Sequence, residues 1–99
     1  MKNKLVYIAF SVDILHEGHI NILKKAANYG KVMVGLLTDT AISSYKTLPH
    51  FSYNKRKLII ESVKYVSSVV PQETLDYSKN LNLYKPDYVV HGDDWKTGF

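Results

Sequence analysis

The stretch Leu5-Val6-Tyr7-Ile8-Ala9-Phe10-Ser11-Val12-Asp13-Ile14-Leu15-His16-Glu17-Gly18-His19-Ile20-Asn21-Ile22-Leu23-Lys24-Lys25-Ala26-Ala27 decides the fold. It opens on an apolar run, 5–10, unbroken by charge, which reads as a strand buried on both faces of a parallel sheet. After a short loop, Ile20, Ile22, Leu23, Ala26 and Ala27 recur at helical spacing and give one apolar face to a helix over 18–28. His16, Gly18 and His19 therefore stand where a strand hands over to a helix. Open α/β sheets bind ligands at that place, because the first N–H groups of the helix point outward unpaired. Those donors and the helix dipole favour phosphate. Gly18 lets the backbone approach an anion or take an unusual dihedral. Two imidazoles there can donate hydrogen bonds to phosphoryl oxygens as charge builds. A zinc site is the other reading of the histidine pair, with His50, His91 or Asp94 as a third ligand.

The same alternation continues outward. The continuous apolar run 32–37 predicts a second buried strand, and Thr38-Asp39 caps a short turn or helix through Ala41 and Ile42. A polar loop follows and closes on Pro49. Ser52 then caps a helix whose apolar face is Leu58, Ile59, Ile60 and Val63, with Lys55, Lys57, Glu61 and Lys64 toward water. Residues 66–70 read as a third strand ended by Pro71. Residues 76–81 form a loop entering a short helix that stops before Pro86. Asp87-Tyr88-Val89-Val90-His91 is a fourth strand, with Gly92-Asp93-Asp94-Trp95 at its carboxyl end. Repeated strand–helix alternation implies an α/β fold, a Rossmann-like doubly wound parallel sheet of about four strands with right-handed crossovers. Residues 1–99 read as a single domain.

Composition narrows the function classes. Hydrophobic residues make up 45% of the 99 residues, enough for one modest core. The absence of cysteine excludes disulfides and thiolate metal sites. No apolar run is long enough to span a bilayer, and the polar residues 1–4 lead straight into a strand without the pattern of a signal peptide, so a cytoplasmic protein is expected. A net charge of +4 suits an anionic ligand. The basic residues look scattered along the chain, the longest cluster being Lys55-Arg56-Lys57, so neither nucleic acid nor a membrane is expected as a partner.

Polar groups fall at the carboxyl ends of the predicted strands: Ser11 to His19, Thr38-Asp39 with Lys46, Pro71 to Tyr77, and Gly92 to Trp95. In a doubly wound sheet these ends share one edge and can line one crevice. Asp13 has a structural place, accepting hydrogen bonds from loop N–H groups before the helix. Asp93 and Asp94 are available to orient a helix terminus or to help hold Mg²⁺.

Ser11-Val12-Asp13-Ile14-Leu15-His16-Glu17-Gly18-His19 resembles the G-T-F-D-x-x-H-x-G-H signature of the cytidylyltransferase-like nucleotidyltransferases, whose fold is of the HUP type. The resemblance implies that His16 and His19 line the α-phosphate of CTP. It implies that Ser11 and Val12 face the nucleotide through their backbone, with Gly18 and Asp94 also on it. It also implies that Lys46 holds substrate phosphates, that Arg56 has a structural or phosphate role, and that Mg²⁺ accompanies the CTP. Phe10, Ser11 and Val12 depart from the usual glycine, threonine and phenylalanine. Arg56 reads equally as part of a surface basic patch.

Two longer strings, V-P-Q-E-T-L-D-Y over 70–77 and K-P-D-Y-V-V-H-G-D-D-W-K-T-G over 85–98, are similar to the cytidylyltransferase domains associated with phosphoenolpyruvate mutase in phosphonate biosynthesis. That likeness implies transfer of CMP from CTP to 2-aminoethylphosphonate, with Asp76, Tyr77, Tyr84 and Trp95 placed to receive its ammonium. Glycerol 3-phosphate, phosphocholine and phosphoethanolamine are the alternative acceptors, and a homodimer is implied. The family's further G-I-S-[ST] element is not found before Phe99. The domain is therefore expected to be C-terminally incomplete, and a nucleotide-binding module without turnover is the competing reading.

Overall fold

The computed structural model describes residues 4–11, 15–43, 51–91 and 94–97. The elements are β1 (Leu5–Phe10), α1 (Glu17–Ala27), β2 (Lys31–Leu37), α2 (Asp39–Ser43), α3 (Tyr53–Glu61), β3 (Ser68–Gln72), α4 (Ser78–Tyr84), β4 (Tyr88–His91) and β5 (Asp94–Thr97). They form one five-stranded sheet in the order β3-β2-β1-β4-β5. Strands β1 to β4 run parallel, and β5 turns back antiparallel on β4 with Val90 opposite Trp95. The sheet reverses direction at β1, where β2 leads one way and β4 the other. This is the topological switch point at which open α/β sheets bind ligands.

Each buried strand turns alternate residues to opposite faces. Val6, Ile8, Phe10, Val32, Val34, Leu36 and Val90 meet Leu23 and Ala26 of α1 and Ile60 of α3 in one core layer. Tyr7 and Val89 meet Leu81 of α4 in the other, with Ala9, Met33 and Val70 packed against them. Helices therefore cover both faces. The change of side between α3 and α4 follows from the right-handed crossover rule once the chain passes from one side of β1 to the other.

Three expectations change. Pro71 does not end the third strand but pairs inside it, opposite Leu36. Strand β3 lies at the sheet edge, where the missing N–H of a proline costs no ladder bond. Leu58 and Ile59 are exposed, at 65% and 37%, instead of buried. The inward side of α3 is Tyr53, Arg56 and Ile60, followed by Val63 in the turn after it, because a guanidinium with three hydrogen bonds takes the position a hydrophobe was expected to fill. Asp94-Trp95 is strand, not loop. Two short runs separated by Gly92-Asp93 carry a hairpin signal that the polar residues of β5 obscure.

Candidate active site

The H-x-G-H spacing builds a helix cap out of imidazoles. His16 is the N-cap of α1, with extended backbone at φ −134° and ψ 177°. Its Nδ1 accepts the Gly18 N–H at 3.0 Å, and its own N–H donates to Nδ1 of His19 at 3.2 Å. This is the reciprocal arrangement of a capping box, with histidine in both side-chain roles. The rings stack at 3.9 Å between centroids, and His19 also meets the edge of Phe10 at 5.3 Å. Gly18 has ordinary helical backbone. A Cβ there would lie 2.8 Å from Cε1 of His16, so the glycine makes room for the imidazole.

The cap determines which nitrogen carries the proton. Each Nδ1 accepts a backbone hydrogen, so the proton of each neutral ring is on Nε2, which is left as a donor. Burial, and secondarily the neighbouring His16 ring, hold the pKa of His19 below its ordinary 6.5. Neutral His19 is thus the favoured state near pH 7. The expected row of open N–H groups is largely consumed: His19 and Ile20 both donate to the His16 carbonyl, at 3.0 and 3.2 Å. Glu17 N–H alone in that turn has no partner among the described residues. Anion binding here rests on imidazole N–H donors and the helix dipole more than on bare amides.

A second feature lies at the carboxyl end of β2. Arg56 is only 1% exposed, so the surface-patch reading of it does not hold. Its Nη1 donates to the Leu37 carbonyl at 2.9 Å, its Nε to the Phe51 carbonyl at 3.1 Å and its Nη2 to Oδ1 of Asp39 at 2.8 Å. Asp39 also accepts the Tyr53 N–H at 3.4 Å, and Thr38 Oγ1 caps α2 through Ala41 N–H at 3.2 Å. Arg56 thereby fastens α3 to the last residue of β2 and the first of α2. A planar fork can satisfy three acceptors at once, which a lysine cannot. The pairing with Asp39 was missed in the sequence because the residues stand far apart in the chain.

The opposite face holds a buried polar network. The Tyr7 hydroxyl donates to Gln72 Oε1 at 2.7 Å and accepts from Asn80 Nδ2 at 2.8 Å. Asn80 also donates to the Pro71 carbonyl, and Gln72 to the Thr74 carbonyl, each at 3.0 Å. Burial pushes the Tyr7 phenol up to about 12, so it stays a neutral donor at any ordinary pH. The Tyr7 ring crosses Gly35, where any side chain would collide with its hydroxyl. Beside this network a cleft of about 240 Å³ is lined by Gln72, Thr74, Asp76, Asn80 and Tyr84 among others.

The sequence-predicted site residues divide accordingly. Ser11, His16, Gly18 and His19 stand together at the end of β1. The backbone of Asp94 pairs with His91 and so lies at the same sheet edge, and Trp95 follows in β5. Val12, Asp13 and Lys46 lie outside the described residues, as do the side chains of Asp94 and Trp95. Asp76 and Tyr77 are not brought to the histidines. Tyr77 packs against the Tyr7 cluster on the α4 face, ring centroids 6.3 Å apart, whereas α1 covers the other face. Asp76 Oδ1 accepts the Ser78 hydroxyl at 2.6 Å and its N–H at 2.9 Å, bonds that start α4 and hold the carboxyl below its usual range. No group of three potential metal ligands occurs among the described residues. The third ligands considered for zinc, His50 and the side chains of His91 and Asp94, lie outside those residues.

The histidine cap thus stands at the switch point of a Rossmann-like sheet, and the comparisons give the family. The cytidylyltransferase-like family profile matches residues 11–99, so the chain belongs to that enzyme family. The glycerol-3-phosphate cytidylyltransferase of Bacillus spizizenii is 35% identical over all of this chain and 77% of its own length. That of Staphylococcus aureus is 31% identical over 75% of its length. An ethanolamine-phosphate cytidylyltransferase of Arabidopsis thaliana is 34% identical over 90% of this chain but 23% of its own. In structure, the lipopolysaccharide core biosynthesis protein of Thermoplasma volcanium matches with a TM-score of 0.81, covering 87% of this chain and 71% of that one at 29% identity. These relatives favour the glycerol-3-phosphate alternative over the likeness to 2-aminoethylphosphonate cytidylyltransferases. One oxygen of the carboxylate assigned to the acceptor's ammonium is already engaged with Ser78 at the start of α4.

Proposed function

We propose that this protein transfers CMP from CTP to a small phosphomonoester, glycerol 3-phosphate first, and releases pyrophosphate. The observation that carries the reading is the stacked pair of imidazoles at the start of α1, with both Nδ1 atoms engaged and both Nε2 atoms without a partner among the described residues. An acceptor phosphate oxygen attacks the α-phosphorus, and the bond from that phosphorus to the bridging oxygen of the pyrophosphate breaks. Such a transfer needs positioning and charge stabilisation more than covalent catalysis. His16 and His19 supply donors to the α-phosphate oxygens as negative charge grows on them. Lys46 holds further phosphate oxygens, the backbone of Ser11 and Val12 faces the nucleoside, and Asp94 binds it from the β4–β5 side. Arg56 acts at one remove, holding the frame at the end of β2. Mg²⁺ accompanying the triphosphate would supply positive charge against the leaving pyrophosphate.

Glycerol 3-phosphate is preferred because three relatives that this chain covers over at least 75% of their length carry that acceptor in their names. The test is pyrophosphate release from CTP with glycerol 3-phosphate, phosphoethanolamine and 2-aminoethylphosphonate in parallel, and with ATP in place of CTP. Turnover with CTP, highest for glycerol 3-phosphate, is expected. Preference for 2-aminoethylphosphonate would return the acceptor to the phosphonate class.

A further inference from the structure

The lysines that look scattered in sequence are gathered by the fold. In a parallel sheet every strand begins at one edge, and every crossover helix ends there. Lys4 precedes β1, and its carbonyl accepts the Lys31 N–H at 2.9 Å, which sets the start of β2 beside it. Lys24 and Lys25 occupy the last turn of α1. Lys64 lies between α3 and β3, three residues before Ser67, whose N–H donates to the Val32 carbonyl at 2.8 Å. Lys85 caps α4 just before β4. All six come to the amino-terminal rim of the sheet, opposite the edge that carries His16 and His19. All but the half-buried Lys4 are exposed.

Little acid balances them. Asp87 is at the rim, but one of its oxygens accepts the Leu5 N–H at 2.8 Å. Glu61, at the end of α3, pairs with Lys57 at 3.6 Å. Lys4, Lys24, Lys31, Lys64 and Lys85 make no ion pair among the described residues. The rim thus holds the chain's positive surplus, and the remainder is close to neutral. Neighbouring strands lie about 4.8 Å apart, so charges on adjacent strand starts are within roughly one Debye length and their fields add.

We propose that this rim docks the protein on an anionic lipid surface. Three observations favour that partner. Every cation is a lysine, a flexible point charge without the fork that reads a phosphate or a base edge. The charges lie on strand starts and helix ends that share one rim of the sheet, as docking on a planar surface requires. Tyrosine rings stand among them: Tyr29 is 42% exposed and packs edge-on against Tyr88 at 5.3 Å, and Tyr65 lies under Lys64 at 5.2 Å. Tyrosine with lysine is the composition of a membrane interface. Docking in this way leaves the histidine edge turned to solution. It requires no spanning segment, and no helix among the described residues is long and apolar enough to be one.

The test is co-sedimentation with phosphatidylglycerol vesicles and with pure phosphatidylcholine vesicles, at low and high salt. Binding to the anionic vesicles alone, abolished by salt, is expected. Lys24→Gln, Lys31→Gln and Lys64→Gln should each weaken the partition about fivefold, while Lys79→Gln, away from the rim, should not. Equal binding to both vesicle types, no binding to either, or equal loss in Lys79→Gln would overturn the proposal. So would tighter binding of a single-stranded RNA than of the vesicles at the same salt, which would make nucleic acid the partner. The substitutions are of exposed side chains, and unchanged thermal midpoints keep loss of binding separate from loss of fold.

Discussion

His16 and His19 each have two tasks, one per nitrogen. Nδ1 completes the cap of α1 and Nε2 is left as the donor, so the tasks separate by substitution. Asparagine is a good N-cap residue and glutamine a good partner at the third helical position. The variant His16→Asn with His19→Gln should therefore keep its thermal midpoint. It should lose about 10²–10³-fold in kcat, the range for removing a preorganised donor. His16→Ala, by contrast, should also lose about 1 kcal/mol of stability with the cap. The pH dependence has a definite sign. The folded-state pKa of His19 lies below 6.5, so the folded protein binds fewer protons there than the unfolded chain. Its stabilising contribution is complete above pH 6.5 and is lost as pH falls through the folded value. Urea titrations across that window should show the loss, and His19→Gln should remove that component of it. The histidines and their phosphate chemistry were legible from H-x-G-H. Their capping role was not, because histidine is outside the usual set of cap residues.

At the scale of elements, two polar fasteners hold the sheet edge in place. Arg56→Met leaves the Leu37 and Phe51 carbonyls and Asp39 without their donor, at a cost of about 2–3 kcal/mol by denaturant titration. Arg56→Lys should recover little of it, since one ammonium cannot span the three acceptors. Tyr7→Phe strands Gln72 Oε1 and an Asn80 hydrogen in the interior and should cost about 1–3 kcal/mol. Lys85 sits at φ 50°, the left-handed cap position that glycine takes without strain. Lys85→Gly should raise stability by up to about 1 kcal/mol. Strands β1, β2 and β4 and the cap Ser52 were readable from continuous apolar runs and local chemistry. The inward face of α3 was not, because periodicity assigns burial to Leu58 and Ile59 and cannot know that a distant Asp39 will satisfy Arg56. The extent of β3 was hidden for a related reason: a proline is excluded from central strands only, and edge position is a property of the whole sheet.

For the whole molecule, parallel topology sorts chemistry to one edge and lysine charge to the other. The first half of that division could be anticipated, since strand ends with polar residues imply a shared crevice. The second half appears only when the helix ends and strand starts are assembled, because the lysines concerned are spread from residue 4 to residue 85. The same topology separates Asp76 and Tyr77 from the histidines, since α1 and α4 cover opposite faces. The central claim is that the imidazole donors at the start of α1 bind the phosphates of CTP. Calorimetric titration of CTP with Mg²⁺ into the wild type and into the His16→Asn, His19→Gln variant tests it most directly. The account predicts binding to the wild type and its loss in a variant that melts at the same temperature. Equal affinity in both proteins would contradict it.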